Sequence, residues 1–559
     1  MAVELFAVRS SNEVSVMKLI NSSISSYTNF ERATLSSRFL DFSPDGKYIA
    51  WCNSQCVQLF DFESEKELVT IPRERTNILY FSPKSKYLVT WEILAVRAGE
   101  PSDKNTLEIW ELKTGRCIKG ICIKKRENKY FKWSDDEILC SLCVTNEAHF
   151  YVNGNFGNIA HKLRLQGVSC IEIAPGPPPY KIAAYVRGTK GAPSYVRLYE
   201  YANFEFPIAN KSFFKADKVN ILWNKKGKDA LILTSTEVDQ TGGSYYGEQS
   251  LQYISTSGDS NTVILAKKGP IYAIDWNPNS TQFCVVYGYM PAKATIFNLK
   301  CESVFDFGTG PRNTAHYNTH GNILCLAGFG NLRGNMEFWD VKRHKEINKL
   351  QASDTTLFEW CPDGQHFMTA TTSPRLREGN GFKIWHYNGN CIYEKSINEL
   401  WQVTWQPRPE GVFPELSITS AKVKKSNDEV QAYRPPSARG TPVNTSKLHE
   451  IEPPENAKKT KELSANALRN KKKREAKART KKENEDNNIC GRDIPESTTV
   501  ASGATTEKEK KLKNLKKKLK QIEELKLQKK AGKKLEKNQE EKLNTEDSLL
   551  EEIRQLEVS

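Results

Sequence analysis

Residues 41–68 read DFSPDGKYIAWCNSQCVQLFDFESEKEL, and this stretch contains the pattern that decides the fold. The aromatic residue Phe42 precedes a short turn rich in Pro, Asp and Gly, and an apolar, partly aromatic segment follows the turn. A further apolar segment ends on Phe60 before another turn. Aromatic and β-branched residues favour strands, and these turn residues favour tight connections. The stretch therefore predicts short antiparallel strands joined by tight turns.

The same pattern recurs along the chain at intervals from 39 residues (Phe42 to Phe81) to 53 residues (Trp223 to Trp276). Intervals of this size are typical of WD-type blades, which take ~40–45 residues. We call the residue that ends the first strand of each unit its anchor. The nine anchors are Phe42, Phe81, Trp133, Ile173, Trp223, Trp276, Tyr317, Trp360 and Trp405. The aromatic residues that close the third strands are Phe60, Trp110, Tyr151, Tyr199, Tyr253, Phe297, Trp339 and Trp385.

Eight third strands follow nine anchors, so the last unit, TWQPRPEGVFPELSIT, has its first two strands but lacks its outer half. Near the start of the chain, ELFAVRSSNEVSVM aligns with QLFDFESEKELVTI and places Phe6 where Phe60 stands. We therefore expect Met1 to about Asn21 to complete the blade that Trp405 begins, which removes an exposed sheet edge. A pair of β-sandwiches is the alternative. The regular spacing and the matching half-blade favour one nine-bladed β-propeller of WD-repeat type over residues 1–420.

A glycine-rich loop lies in NILCLAGFGNLRGNMEFWDV, with Gly328, Gly330 and Gly334 close together. A phosphate-binding loop of the Walker or dinucleotide type leads from a strand into a helix. Here both flanks have the composition of strands, so the sequence predicts a β-hairpin between the second and third strands of a blade. Arg312 precedes this segment and Arg333 lies within it, and these two residues are our candidate surface contacts of the propeller.

Neither a metal nor a cofactor site, nor a catalytic constellation, is indicated. Cys140 and Cys143 form a CxxC motif inside a strand pattern, where their odd separation directs the two thiols to opposite faces. His316 and His320 form an HxxxH motif in a predicted turn rather than on a helix. No carboxylate pair or nucleophile–base arrangement stands out, so we expect a protein that is not an enzyme. We also expect a cytoplasmic protein without a membrane partner, because no signal peptide and no apolar run of ~20 residues is visible.

The basic charge is concentrated after the propeller. The chain has 82 Lys and Arg against 67 Asp and Glu, and residues 421–559 have 35 against 24, which leaves 47 against 43 for residues 1–420. The net charges are therefore +11 and +4. We predict a disordered or α-helical tail with a Pro- and Ser-rich linker at 421–460, a basic helix at 461–483, a linker at 484–505, and a helical hairpin or short coiled coil at 506–559.

Two clusters of cations make this tail a candidate for binding a polyanion such as RNA. The proposed RNA- or ribosome-binding residues are Lys471, Lys472, Lys473, Arg474, Lys477, Arg479, Lys516, Lys517, Lys518 and Lys520. Solvated helix faces are the alternative for these cations. Leu512, Leu515, Leu519 and Ile522 follow a helical spacing and predict a seam for a partner helix.

Three stretches of the chain resemble the eukaryotic translation initiation factor 2A family: GPRNTAHYNTHGNILCLAGFGNLRGNMEFWDV, LSANALRNKKKREAKART and KEKKLKNLKKKLKQIEELKLQKKAGKKLEKNQEEKL. The resemblance implies a nine-bladed propeller and no catalytic residues. It also implies that the protein binds the 40S ribosomal subunit and directs initiator methionyl-tRNA to it, in a codon-dependent and GTP-independent manner, on selected mRNAs. Its partners would then include mRNA indirectly and other initiation factors. The alternative function is a WD-repeat scaffold for protein complexes with a partner-docking helical tail.

Overall fold

The computed structural model of the chain describes residues 3–20, 23–30, 36–92, 105–123, 131–189, 192–214, 216–236, 247–418 and the single residue 522. The described residues form nine antiparallel sheets of four strands each. The strands are β1 (Glu4–Ser10), β2 (Val14–Ile20), β3 (Ser23–Ser26), β4 (Phe39–Phe42), β5 (Tyr48–Cys52), β6 (Val57–Asp61), β7 (Lys66–Ile71), β8 (Thr76–Phe81), β9 (Tyr87–Glu92), β10 (Leu107–Glu111), β11 (Arg116–Ile121), β12 (Phe131–Trp133), β13 (Leu139–Val144), β14 (Glu147–Val152), β15 (His161–Arg164), β16 (Val168–Ile173), β17 (Lys181–Val186) and β18 (Ser194–Glu200).

The second half of the propeller continues the same meander. Its strands are β19 (Ala209–Phe213), β20 (Lys218–Trp223), β21 (Asp229–Ser235), β22 (Gln249–Ser255), β23 (Ser260–Thr262), β24 (Ile271–Trp276), β25 (Gln282–Tyr287), β26 (Ala292–Asn298), β27 (Ser303–Gly310), β28 (Thr314–Tyr317), β29 (Ile323–Ala327), β30 (Asn335–Asp340), β31 (Lys345–Gln351), β32 (Leu357–Trp360), β33 (His366–Thr371), β34 (Gly381–His386), β35 (Cys391–Ser396) and β36 (Leu400–Trp405). Blades 1 to 8 take four consecutive strands each, from β4–β7 to β32–β35, and blade 9 combines β36 with β1–β3.

The predicted nine-bladed propeller is confirmed, and so are its anchors. Each of the nine anchors is the last residue of the first strand of its blade, as Phe42 is in β4 and Trp276 is in β24. The eight aromatic residues predicted to close third strands all lie in third strands, as Phe60 does in β6. After an anchor such as Phe42 the turn is short and polar, as in SPDGK at 43–47, so the anchor marks the point where the chain reverses.

The closure by the N-terminal strands is also confirmed, but the chain start contributes more than predicted. Strand β1 pairs directly with β36, with Phe6 opposite Trp405, so Phe6 lies in the second strand of blade 9. The alignment of Phe6 with Phe60 was therefore wrong by one strand. Strands β1, β2 and β3 supply three of the four strands.

The second strand predicted to follow Trp405 does not form. Residues 406–418 contain no strand, and three of them are prolines (Pro407, Pro409 and Pro414). Proline has no N–H group to donate to a ladder, which explains why this segment cannot extend the sheet.

The hydrophobic core lies between neighbouring blades. One face of β1 and β2 packs against blade 8, where Phe6 is fully buried beside Phe382 and Trp405. The other face packs against blade 1 in a cluster that contains Leu5 and Phe60. Because β1 is buried on both faces, blade 9 is held in the ring by apolar contacts as well as by its hydrogen bonds.

Candidate functional site

The connections between strands divide the propeller into two faces. In an antiparallel four-stranded blade, the loop between the second and third strands leaves from the same end as the connection to the next blade. We call this end the loop face; it includes residues 328–334, 352–356 and 372–380. We call the opposite end, with the turns that follow the anchors, the turn face.

The glycine-rich segment forms a hairpin on the loop face. Strand β29 enters it and pairs with β30, which leaves it, and these are the second and third strands of blade 7. Gly330 and Gly334 have φ values of 72° and 77°, a left-handed conformation that glycine adopts without strain. A Cβ atom on Gly334 would collide with the carbonyl oxygen of Ala352. The hairpin prediction is confirmed, and the glycines serve backbone geometry rather than a phosphate cradle.

The two arginines predicted as surface contacts have different environments in the structure. Arg312 is only 6% exposed; its Nη2 lies 2.7 Å from Glu337 Oε2, and its Nη1 donates to the carbonyl oxygen of Phe307 at 3.2 Å. The prediction was therefore wrong for Arg312, whose side chain ties the connection between blades 6 and 7 to β30. Arg333 is exposed, and its backbone carbonyl oxygen accepts a hydrogen bond from Gln351 Nε2 at 3.2 Å. Its role in RNA or ribosome contact stays a prediction.

Sequence reasoning missed two further arginines on the loop face. Arg375 and Arg377 are exposed in the loop 372–380, which connects the second and third strands of blade 8. The guanidinium group of Arg375 lies directly beside Gly330, where it would collide with any side chain. This loop holds the same position in blade 8 as the glycine hairpin in blade 7. That equivalence, visible in the repeat, is the signal that could have found both arginines.

The residues that precede the anchors connect neighbouring blades around the central channel. Asp275 Oδ2 of blade 6 accepts a hydrogen bond from the backbone N–H of Tyr317 in blade 7 at 2.7 Å. Glu359 of blade 8 accepts one from the backbone N–H of Trp405 in blade 9 at 3.3 Å. Burial raises the pKa of Asp275 to about 7 and that of Glu359 to about 7. The arrangement gives the inner strands hydrogen bonds between blades, since the first strand of a blade has no ladder partner on the channel side.

The cysteine and histidine motifs are structural. Cys140 and Cys143 are both buried in β13 but belong to hydrophobic clusters on opposite sides of blade 3, as predicted. The ring of His316 stacks on that of Phe358, with the ring centroids 5.1 Å apart. Burial lowers the pKa of His316 to about 4. Among the described residues, no group of three or more His, Cys, Asp and Glu side chains could hold a metal ion. Within the same residues there is no helix with the length and apolar character that crossing a membrane requires.

Residues 406–418 cross the turn face. Arg408 donates to the carbonyl oxygen of Val3, Glu410 forms an ion pair with Lys225 of blade 5, and Asn322 of blade 7 donates to Glu415 Oε1 at 3.0 Å. Ile418 then packs against the cluster between blades 7 and 8. The segment therefore contacts blades on opposite sides of the ring and holds them together across this face.

The predicted tail sites lie outside the described residues, with one exception. Ile522 of the seam is helical and 4% exposed. The other seam residues and all ten tail cations are not described, so their binding roles stay predictions. The predicted boundaries of the tail segments, from 421–460 to 506–559, fall in the same part of the chain.

Comparison with known proteins agrees with this architecture. The family model described as "Eukaryotic translation initiation factor eIF2A" matches residues 211–403. Eukaryotic translation initiation factor 2A of Drosophila melanogaster is 42% identical over 426 residues, which cover 73% of this chain and 67% of that protein. The protein of the same name from Schizosaccharomyces pombe is 35% identical over 583 residues, which cover 99% of this chain and 98% of that protein. A structure described as "Crystal structure of the eukaryotic initiation factor" aligns with a TM-score of 0.68 at 36% identity and covers 73% of this chain and 100% of its own. With its nine anchors, its closing strands and this similarity over the whole chain, the protein belongs to the eukaryotic translation initiation factor 2A family.

Proposed function

We propose that this translation initiation factor binds the 40S ribosomal subunit and directs initiator methionyl-tRNA to it in a codon-dependent, GTP-independent manner on selected mRNAs. The observation that carries the proposal is the division of charge in a chain of this family: residues 421–559 have a net charge of +11 and the propeller only +4. A cytoplasmic location, indirect contact with mRNA and contacts with other initiation factors belong to the same proposal.

The two parts of the chain have different tasks in this proposal. Lysine and arginine side chains that neutralise phosphates release counterions, which gives an affinity that is strong, dependent on salt and largely independent of sequence. The tail cations therefore supply affinity for RNA. The propeller supplies orientation, because a closed ring presents its loops at fixed positions.

Two features of the chain support the GTP-independent part of the proposal. The chain contains no GxxxxGK[ST] sequence, and the glycine-rich segment 328–334 is a β-hairpin with both flanks in strands. In this proposal, GTP hydrolysis does not drive delivery of the tRNA. Binding and release depend on codon pairing and on the contacts of this chain.

Co-sedimentation of the full-length protein with purified 40S subunits tests the proposal. We compare the wild type with a variant in which Lys471, Lys472, Lys473 and Arg474 are all replaced by Ala. If the tail cations neutralise roughly six phosphates, the slope of log affinity against log salt should be about −4 to −5 in the wild type. The variant should bind more weakly to many RNAs alike and should have a flatter slope.

A second variant distinguishes the scaffold function from the RNA-binding function. Leu515→Asp and Leu519→Asp remove the apolar seam but keep every cation of the tail. If this variant loses 40S binding while the Lys and Arg variant keeps its affinity and its salt slope, the tail is a protein-docking module. That result would replace the RNA-binding proposal with the scaffold.

A further inference from the structure

Arg9 lies near the end of β1 on the loop face, and its charge has no counter-charge among the described residues. Its Nε donates to Gln402 Oε1 at 3.2 Å, and its Nη1 donates to the carbonyl oxygens of Ser37 and Arg38 at 2.7 and 3.0 Å. All three acceptors are neutral. Burial lowers the pKa of Arg9 to about 10, and no carboxylate offsets this effect. A partly buried cation without a counter-charge favours an anionic ligand.

The guanidinium group of Arg9 is accessible from the loop face. Its hydrogen bond to Arg38 is exposed to solvent, and its Nη2 has no acceptor in the part of the chain that the structure describes. The group lies over the ring of Trp401, with Cζ 5.2 Å from the ring centroid, which holds its orientation. The ladder between β1 and β36 shifts register between Arg9 and Ser10, an irregularity that can redirect a side chain. Arg9 is therefore fixed in place with donors left for a ligand.

Two neighbouring segments bring further cations to this position. Arg38 is exposed, and its own carbonyl oxygen accepts the hydrogen bond from Arg9. The loop 372–380 of blade 8 is bonded to the first residue of β36, because the backbone N–H of Ser373 donates to the carbonyl oxygen of Leu400 at 2.7 Å. The surroundings of Arg9 therefore include the connection to blade 1 on one side and a loop of blade 8 on the other.

A row of positive charge extends from here to blade 7. The guanidinium group of Arg375 lies beside Gly330, so the loop 372–380 contacts the glycine hairpin as well as β36. We call the following five residues the arginine row: Arg9, Arg38, Arg333, Arg375 and Arg377. The segments that carry them, residues 9–10, 36–38, 328–334, 372–380 and 399–402, contain two acidic residues, Glu378 and Glu399, both exposed. Five arginines against two glutamates give a net charge of +3.

The extent of the arginine row indicates a chain of negative charges rather than a small anion. One phosphate group engages one or two guanidinium groups, whereas the row covers blades 7, 8 and 9 and the connection to blade 1. A nucleic acid strand has a phosphate at every residue, and its bases stack on aromatic rings such as that of the half-buried Trp401. An acidic protein segment offers charge without such bases. We propose that the arginine row binds the backbone phosphates of a single RNA strand that crosses the loop face. This inference rests on the proposed function, which supplies RNA as the polyanion, and it names the propeller surface for it.

The test uses the full-length protein with the same four tail cations replaced by Ala as in the co-sedimentation experiment, so that the tail contributes less to the signal. Fluorescence anisotropy at several salt concentrations measures binding of a fluorescein-labelled, unstructured twenty-nucleotide RNA. In this background, Arg38, Arg375 and Arg377 are replaced together by Ala. The loop-face variant should bind more weakly, and its slope of log affinity against log salt should flatten by about 2, the value for three phosphate contacts on a single strand.

A matched variant controls for the loss of charge. Arg116, Lys300 and Lys342 are exposed cations of the turn face, and replacing all three by Ala gives the same net charge as in the loop-face variant. This turn-face variant should bind RNA with the affinity and slope of the background protein. Arg9→Ala would also lose three hydrogen bonds at the ring closure, so the conclusion depends on the other arginines of the row.

Cross-linking locates the bound strand. RNA that contains 4-thiouridine is irradiated with the background protein, and the modified peptides are identified by mass spectrometry. We expect cross-links on the loop 372–380 or on the peptide that contains Trp401. These peptides belong to neighbouring blades, so cross-links on both place one strand along the arginine row.

Four results overturn the assignment. The first is an equal affinity and salt slope for the loop-face and turn-face variants, the second is the absence of cross-links on both peptides, and the third is a background protein that binds no RNA. The fourth is a loop-face variant that keeps RNA binding but loses binding of labelled polyglutamate, which shows that the row docks an acidic protein. In each case the proposed function still stands if the tail cations control 40S co-sedimentation. If they do not control it, the proposed function fails independently of the arginine row.

Discussion

Closure of the ring by Phe6 can be tested by a single truncation. Phe6 is fully buried in the second strand of blade 9, with its ring centroid 5.2 Å from that of Trp405 and 5.5 Å from that of Phe382. Phe6→Ala removes both edge contacts and leaves a cavity between blades 8 and 9. Truncations of this kind lower the free energy of unfolding by about 3–5 kcal/mol. Urea unfolding followed by tryptophan fluorescence measures the change, because all 11 tryptophans of the chain lie at or before Trp405 and so report on unfolding of the propeller.

A matched control separates closure from the general effect of losing a phenylalanine. Phe206 is 75% exposed, so Phe206→Ala should change the free energy of unfolding by less than about 0.5 kcal/mol. Hydrogen exchange adds the location of the effect. Since β1 and β36 are the first and last strands of the propeller, the backbone amides of Phe6 and Trp405 should exchange faster in Phe6→Ala than those of blade 4. Equal destabilisation by both variants, or uniform acceleration in all blades, would refute the closure argument.

Three other predictions concern single residues. Gly334→Val should destabilise the protein, because Val disfavours a φ of 77° and its Cβ would collide with Ala352. Thermal unfolding measures the change, and the control is Gly379→Ala, whose Cβ would have open space. Arg312→Ala should lower the free energy of unfolding by about 3–5 kcal/mol, because Glu337 is left buried without its partner. Arg333→Ala should change the free energy of unfolding by less than about 0.5 kcal/mol. An equal effect of the two variants would contradict the assignments. Burial raises the pKa of Asp275 to about 7, so the contribution of this group to stability is fully present below about pH 4 and is lost as the pH rises through 7. Asp275→Asn should reduce this loss of stability by up to roughly 1.4 kcal/mol per pH unit. Urea unfolding at pH 5 and pH 8 measures the difference.

The repeat could be predicted from the sequence because its signals are local. An anchor such as Trp276, the turn after it and the strand beyond it are contiguous, so each unit can be recognised without knowledge of its neighbours. The strand order of blade 9 depends on pairing between residues about 400 positions apart. The local sequence pattern around Phe6 and Phe60 is compatible with either the second or the third strand of a blade. The better sequence signal is the continuous apolar run from Leu5 to Val8, which is typical of a strand buried on both faces, whereas β6 contains the polar residues Gln58 and Asp61.

The two arginines beside the hairpin show a second limit of sequence reasoning. Arg312 is buried because Glu337, 25 residues later, comes to lie against it in the folded blade. Spacing along the chain gives no indication of that partner. Arg333 has the same chemistry and a similar sequence context but lies at the tip of the hairpin. Only the fold distinguishes an arginine that holds two blades together from one that is free to bind.

The different roles of the two faces follow from the hydrogen bonds that their turns form. At three of the nine anchors, the following residue uses its side-chain amide to reach a glycine carbonyl in the next blade. Asn277 donates to Gly321 and Asn318 donates to Gly364, both at 2.8 Å, and Gln406 donates to Gly46 across the closure. The polar groups of the turn face are therefore engaged in holding the ring together, and changing them costs stability. The loops of the opposite face vary in length from blade to blade, and two of them carry the exposed arginines Arg333, Arg375 and Arg377. On this argument we expect recognition to belong to the loop face, where substitution is tolerated.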